Sequence, residues 1–169
     1  MDKLKNLIVN IFLSTRKRTY SIQKNRIRKL IKHLPDYKIC SFGSRNKNKI
    51  FYVIKRSKGG GIFSNLLYVL NHLILAEKMN AIPIVDMENF TNIYNENRII
   101  KNTKNSWLYY FDQVSKYKLE DVYNSKRVIF TSDKLFINQS ISYKENKEKL
   151  NHVFKKYIKI DKNLKKIAD

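Results

Sequence analysis

Three consecutive glycines, Gly59-Gly60-Gly61, stand between an apolar run and a long amphipathic stretch, with Arg56 and Lys58 just before them and Ser64 and Asn65 just after. Bare peptide N–H groups at such a bend, beside a helix N-terminus and two cations, suit the oxygens of a phosphate or diphosphate. Asp86 closes the next apolar run and Glu88 follows it, where a general base or a ligand-binding carboxylate would sit if the residue did not instead cap a turn. Tyr94-Asn95-Glu96 offers hydrogen-bonding groups for sugar hydroxyls. Trp107-Leu108-Tyr109-Tyr110-Phe111 offers a stacking surface, though five large side chains in a row cannot face one way and most belong in a core.

The elements that must hold these residues follow from hydrophobic patterning. Ile50 to Ile54 is a continuous apolar run of strand length, as a strand covered on both faces requires. From Phe63 the positions Leu66, Leu67, Leu70, Leu73, Ile74 and Met79 keep to one helical face, and Asn80 suits the helix end. Ile82 to Val85 makes the next strand, so residues 50–86 have the order and spacing of one βαβ unit. Residues 87–106 show little periodicity and many asparagines, the signature of a long loop at the sheet's carboxyl edge. Leu119 to Tyr123 reads as a short helix, Val128 to Thr131 as a third strand, and Tyr143 to Ile158 as a charged helix with Leu150, Val153, Phe154 and Tyr157 on one face. Before the unit, residues 1–36 carry apolar positions at spacings of three and four around a basic patch, a helical segment closed by Pro35. Residues 36–49 are polar and turn-rich, a boundary. The expected architecture is an α/β, Rossmann-like parallel sheet with flanking helices over residues 50–169, preceded by N-terminal helices.

Composition sets the outer limits. The 169 residues hold 35 Lys and Arg against 14 Asp and Glu, a formal charge of +21, which ordinarily points to a nucleic acid, anionic lipid or phosphorylated partner. Lys, Asn and Ile together make up about two fifths of the chain, the bias that an AT-rich coding sequence imposes whatever the protein does. A specific nucleic-acid role would also want basic and aromatic residues on a recognised motif, and none is present. The lone Cys40 excludes an internal disulfide and a multi-cysteine metal site, in keeping with the cytoplasm. No apolar run reaches membrane-spanning length, so any membrane contact is expected to be peripheral, at the inner membrane through the basic N-terminal helix. His72 falls mid-helix, where a hydrogen-bonded structural histidine is commoner than a catalytic base.

The glycine turn itself admits three readings. It can be a plain reversal that lets the helix pack tightly, one wall of a sugar or nucleotide-sugar cleft, or a G-x-G-x-x-S variant of a dinucleotide fingerprint with Asp86 at the ribose. Against the fingerprint, Arg56, Ser57 and Lys58 intervene between strand and glycines. A basic, non-enzymatic binding module for nucleic acid or an anionic membrane is a further alternative.

Gly61-Ile62-Phe63-Ser64-Asn65-Leu66, with the strands and helix around it, resembles the opening βαβ unit of the fucosyltransferase group that includes protein O-fucosyltransferases and nodulation-type α-1,6-fucosyltransferases. Tyr94-Asn95-Glu96 and the run Asn105 to Ser115 resemble bacterial members associated with surface polysaccharide, so the similarity spans residues 51–133. The resemblance implies the first half of a GT-B glycosyltransferase, with GDP-fucose as donor, a glycan as acceptor and no cofactor or metal. It implies that Asn65 reaches the reacting centre and that Gly61 lines the substrate cleft; Gly60, Phe63, Arg56, Asp86, Glu96 and Trp107 complete the candidate substrate-binding set by their place at the turn or their own chemistry. The family's donor-binding half carries a His-x-Arg motif. None of His33, His72 and His152 is followed two residues later by arginine, so the chain is expected to lack that C-terminal domain and to be inactive alone.

Overall fold

The computed structural model of the chain describes residues 36, 38–57, 59–131 and 143–161. The helical segment expected over residues 1–36 lies outside these, apart from Asp36, as do Lys58 and the last lysines of the chain. The described residues build a mixed α/β fold with four strands, β1 (Ile39–Cys40), β2 (Phe51–Ile54), β3 (Ile82–Val85) and β4 (Val128–Phe130), and three α-helices, α1 (Ile62–Lys78), α2 (Leu119–Val122) and α3 (Tyr143–Tyr157).

The sheet runs β1-β4-β2-β3. β2 pairs in parallel with β3 on one side, Phe51 opposite Ile82, and with β4 on the other, Phe51 opposite Val128. β1 pairs antiparallel with β4, so the sheet is mixed and the expectation of a parallel sheet holds for three strands only. Two residues are too few to show a period of two, which is why β1 fell inside a segment read as turns.

All four residues of β2 are fully buried, as a central strand covered on both faces demands. Tyr52 and Ile54 face α1 and join one core with Tyr68, Val69, Leu73, Val85 and Ile129. On the opposite face Phe51 meets Tyr117 edge-on at 5.1 Å, and Phe42, Tyr123 and Phe130 make a cluster of ring contacts. Pro83 cannot donate to a ladder, and it sits on the sheet's edge strand. The outer side of that edge is closed by side chains: the Gln113 amide accepts from Val85 N–H at 2.8 Å and donates to Val85 C=O at 3.0 Å, and Asn105 Nδ2 donates to the same carbonyl.

α1 ends at Lys78, and Asn80 then takes the left-handed conformation, φ +48°, that its short polar side chain tolerates. α3 lies against α1. Glu77 anchors the pair, accepting from Lys156 Nζ at 2.6 Å and from the Tyr157 hydroxyl at 3.0 Å. Beyond α3 the chain pairs with residues 110–112: Asp112 N–H donates to Lys159 C=O, and Asp161 N–H to Tyr110 C=O.

Candidate functional site

β2 has a parallel neighbour on each side, and its sequence successor β3 lies on one side while β4 lies on the other. The carboxyl ends of three parallel strands, β2, β3 and β4, therefore share one edge of the sheet, the side on which open α/β sheets bind ligands. The glycine turn leaves β2 on this side.

The turn is held from inside by one residue. Asn65, fully buried in the first turns of α1, accepts from Ser57 N–H at 2.9 Å through Oδ1 and donates from Nδ2 to Gly60 C=O at 2.8 Å and Gly61 C=O at 3.1 Å. Gly59, with φ +74°, supplies the left-handed step, and a Cβ on Gly60 would come within 2.9 Å of the Ser64 Cβ, so two of the three glycines are dictated by geometry. Gly61 caps the helix in extended geometry, and the first helical N–H, that of Ile62, donates to the hydroxyl of Tyr94 at 3.0 Å. Gly59 and Gly61 remain on the surface.

Beneath the turn, the ends of β2 and β4 are stitched by Thr131. Its Oγ1 accepts from Lys55 N–H at 3.0 Å and from the Tyr68 hydroxyl at 2.8 Å. The Lys55 side chain, only 7% of the residue being exposed, pairs with Asp36 at 3.0 Å and lies over the Phe90 ring at 5.2 Å, so the buried cation is matched by a carboxylate and a π-face. Arg56 Nε donates to Thr91 C=O at 2.9 Å, tying the glycine loop to the loop after β3.

Three residues expected to face a ligand lie inside the protein. Asn65 uses its amide on the turn, which it holds from inside. Asp86 is wholly buried. One carboxylate oxygen accepts from Glu88 N–H and Asn89 N–H, the other from Asn89 Nδ2 and the Tyr123 hydroxyl, so the group closes a turn. Burial raises its pKa and the Asn89 and Tyr123 donors pull against that rise. Trp107 is 1% exposed, stacks near Phe111 at 4.5 Å and donates from Nε1 to Asp112 C=O, so the aromatic run is core, as five adjacent large side chains require. Gly60, Gly61, Arg56 and the exposed Phe63 do gather at the turn, whereas Glu96 is exposed on the loop that follows β3.

That loop is built on asparagine side chains. Asn95 donates to the Met87 and Lys104 carbonyls, and its Oδ1 accepts from Asn92 N–H and the Ser106 hydroxyl; Asn105 accepts from Met87 N–H and Trp107 N–H. Each amide replaces a backbone partner that irregular chain would otherwise lack. His72 sits under β2 with Nδ1 3.0 Å from the Tyr52 hydroxyl, and burial lowers its pKa to about 4, so it is neutral. Among the described residues no group of three or more His, Cys, Asp or Glu could hold a metal ion, and no helix is long and apolar enough to cross a membrane.

No protein-family model, curated protein or solved structure matches the chain. Thr131, Lys55 and the Tyr94 cap are the site residues that patterning missed. Only Tyr94 had a signal, its place in the Tyr94-Asn95-Glu96 word; Thr131 and Lys55 act through contacts 63 and 19 residues away in sequence, which spacing does not reveal.

Proposed function

We propose that this chain supplies the acceptor-side wall of a fucosyltransferase-like glycosyltransferase, with a GDP-sugar as donor and a glycan as acceptor. The finer architecture that goes with this reading is a Rossmann-like half of a GT-B pair. The carrying observation is the position of the glycine turn: it leaves the carboxyl end of the central parallel strand β2, with Gly59 and Gly61 on the surface and Asn65 bracing it from within. The resemblance of residues 51–133 to the fucosyltransferase group supplies the chemical class. Inverting transfer needs little covalent help from the protein; it needs the acceptor hydroxyl oriented and the leaving diphosphate stabilised by fixed donors and cations.

Two observations count against the dinucleotide reading. A pyrophosphate on the helix N-terminus would need the first amides of α1, and the Ile62 N–H is already taken by Tyr94. A ribose would need the carboxylate of Asp86, which is buried under four donors. In the glycosyltransferase reading Asn65 is a positioning residue, Gly59 and Gly61 meet substrate, and the donor's diphosphate is held mainly by a His-x-Arg-bearing partner half.

Amide NMR of the full chain titrated with GDP-fucose, GDP and NADH tests this. GDP-fucose, its diphosphate lacking the partner half's grip, is expected at millimolar concentration to shift Gly59 and Gly61 while leaving Gly43 and Asn124 unmoved, and NADH is expected to shift none. Shifts with NADH alone, or none with any of the three, would reject the assignment.

A further inference from the structure

A second surface carries its own argument. From Ile62 to Ala76, α1 contains no charged residue, although 29% of the chain is charged. On this helix Phe63 is 81% exposed and Leu67 40% exposed, and the spacing of four and then three leads to Leu70, which is buried at 8% exposure. There begins a groove of about 390 Å³ between α1 and α3, lined by Leu70, Asn146, Lys147, Leu150, Asn151 and Phe154, of which Phe154 is 39% exposed. Phenylalanine and leucine left in water at these exposures lose the burial that would stabilise them elsewhere.

The charges around these residues indicate what covers them. Among the described residues Lys147 is the one charged residue lining this groove, and no carboxylate lines it. Glu77 and Glu148 line a separate groove of α1 and α3, with Lys78, Lys149 and His152. Apolar side chains with a cation beside them and Glu77 and Glu148 in a separate groove, on a chain of net charge +21, match an interface of acyl chains and anionic headgroups. An acidic protein partner would call for several cations in the groove. A second copy of so basic a chain would bring like charges together.

We infer that the exposed apolar residues Phe63, Leu67 and Phe154, with Lys147 at their border, seat the protein peripherally on an anionic bilayer surface. The contact does not depend on the glycosyltransferase reading.

Co-sedimentation of the full chain with vesicles tests the inference, using phosphatidylcholine alone and phosphatidylcholine mixed with phosphatidylglycerol. Binding is expected to the mixed vesicles only, and to weaken as salt is raised. Phe63→Ser is expected to lower the partition coefficient about tenfold, in line with loss of a buried phenylalanine. Lys147→Glu is expected to lower it several-fold at low salt, as reversal of one headgroup contact should. Both sites are exposed, so neither variant is expected to unfold the protein, which its thermal melt checks. Absence of binding by the parent chain overturns the inference. So does binding that survives Phe63→Ser, whether or not Lys147→Glu weakens it, because a purely electrostatic attachment or one through another segment would behave that way. A vesicle-free dimer that Phe63→Ser dissolves would reassign these residues to a second copy of the chain.

Discussion

Asp86 and Tyr123 stand 37 residues apart in the chain, and the phenol donates to the carboxylate at 2.5 Å with both side chains sealed from solvent. The bond joins the end of β3 to the turn after α2, so it fixes the start of the loop that carries Tyr94 to the glycine turn. Burial raises the Asp86 pKa, with the Asn89 and Tyr123 hydrogen bonds opposing, and burial together with the Asp86 charge raises that of Tyr123 well above its usual value, so the phenol keeps its proton.

A carboxyl whose folded pKa is raised holds its proton more tightly in the native state than in the unfolded chain. Its contribution to stability is therefore complete below the unfolded value near 3.8 and is lost as pH climbs through the folded pKa. Tyr123→Phe removes one of the groups that stabilise the anion and pushes that pKa further up. The variant is expected to be less stable than the parent by about 1 to 3 kcal/mol at neutral pH, with the deficit shrinking as the carboxyl becomes protonated. Urea melts near neutrality and in the acid range check this, and a deficit that is the same at both would show that the phenol contributes packing alone.

His72 gives the opposite slope. Its folded pKa, lowered by burial from 6.5 to about 4, means that the unfolded chain takes up a proton over that interval and the folded one does not. Stability is fully present above pH 6.5 and falls as pH drops toward 4, by up to about 3 kcal/mol. His72→Gln, which can still meet the Tyr52 hydroxyl, is expected to remove this component of the acid sensitivity while costing some packing at neutral pH. The check is the slope of stability against pH for the two proteins, with the His72 ring titrated by NMR.

The βαβ unit was legible because its signals are local. Four apolar residues in a row gave β2, the recurrence of Leu66, Leu70, Leu73 and Ile74 gave α1, and Ile82–Val85 is the strand that patterning outlines. Asn65 was also legible as important, but its direction was not. A residue three places into a helix can turn back on its own loop or outward to a ligand, and only the backbone geometry of the turn decides which. Asp86 and Trp107 went inward for a related reason: the hydroxyl and amides that satisfy them come from Tyr123, Asn89 and Asp112, through contacts that follow no period. The loop after β3 looked irregular because asparagine side chains replace a ladder there, and an Asn-rich composition hides which of them are structural.

Asn65 should then behave as a structural keystone of the turn. Asn65→Ala leaves Ser57 N–H and the Gly60 and Gly61 carbonyls without their partner and is expected to cost about 2 to 4 kcal/mol. Asn65→Asp keeps the acceptor for Ser57 but loses both donors, placing an ionised oxygen against two carbonyls, and is expected to be at least as damaging at neutral pH. Chemical denaturation gives the cost, and amide exchange at Gly60 and Gly61 shows whether the loss is local. Unchanged exchange in Asn65→Ala would mean that the bend stands without its clamp.

The glycines can be ranked by the space around them. At Gly43 an added Cβ would lie 2.5 Å from the Asn124 carbonyl oxygen and 2.8 Å from its carbon, both backbone, where Phe42 and Gly43 bond to Ser125 C=O beside the turn that carries Asn124. Neither strand of that contact can retreat without breaking those bonds, so Gly43→Ala is expected to cost about 2 kcal/mol or more. At Gly61 the nearest atom to an added Cβ is the Tyr94 hydroxyl at 3.5 Å, and the residue's φ of −65° is open to any amino acid. Gly61→Ala is expected to leave stability within about 0.5 kcal/mol of the parent, and, if the turn meets substrate, to weaken GDP-fucose shifts at Gly59 because the methyl group stands on the exposed face. Paired denaturation of the two variants separates a glycine required by the fold from one that the fold would let vary.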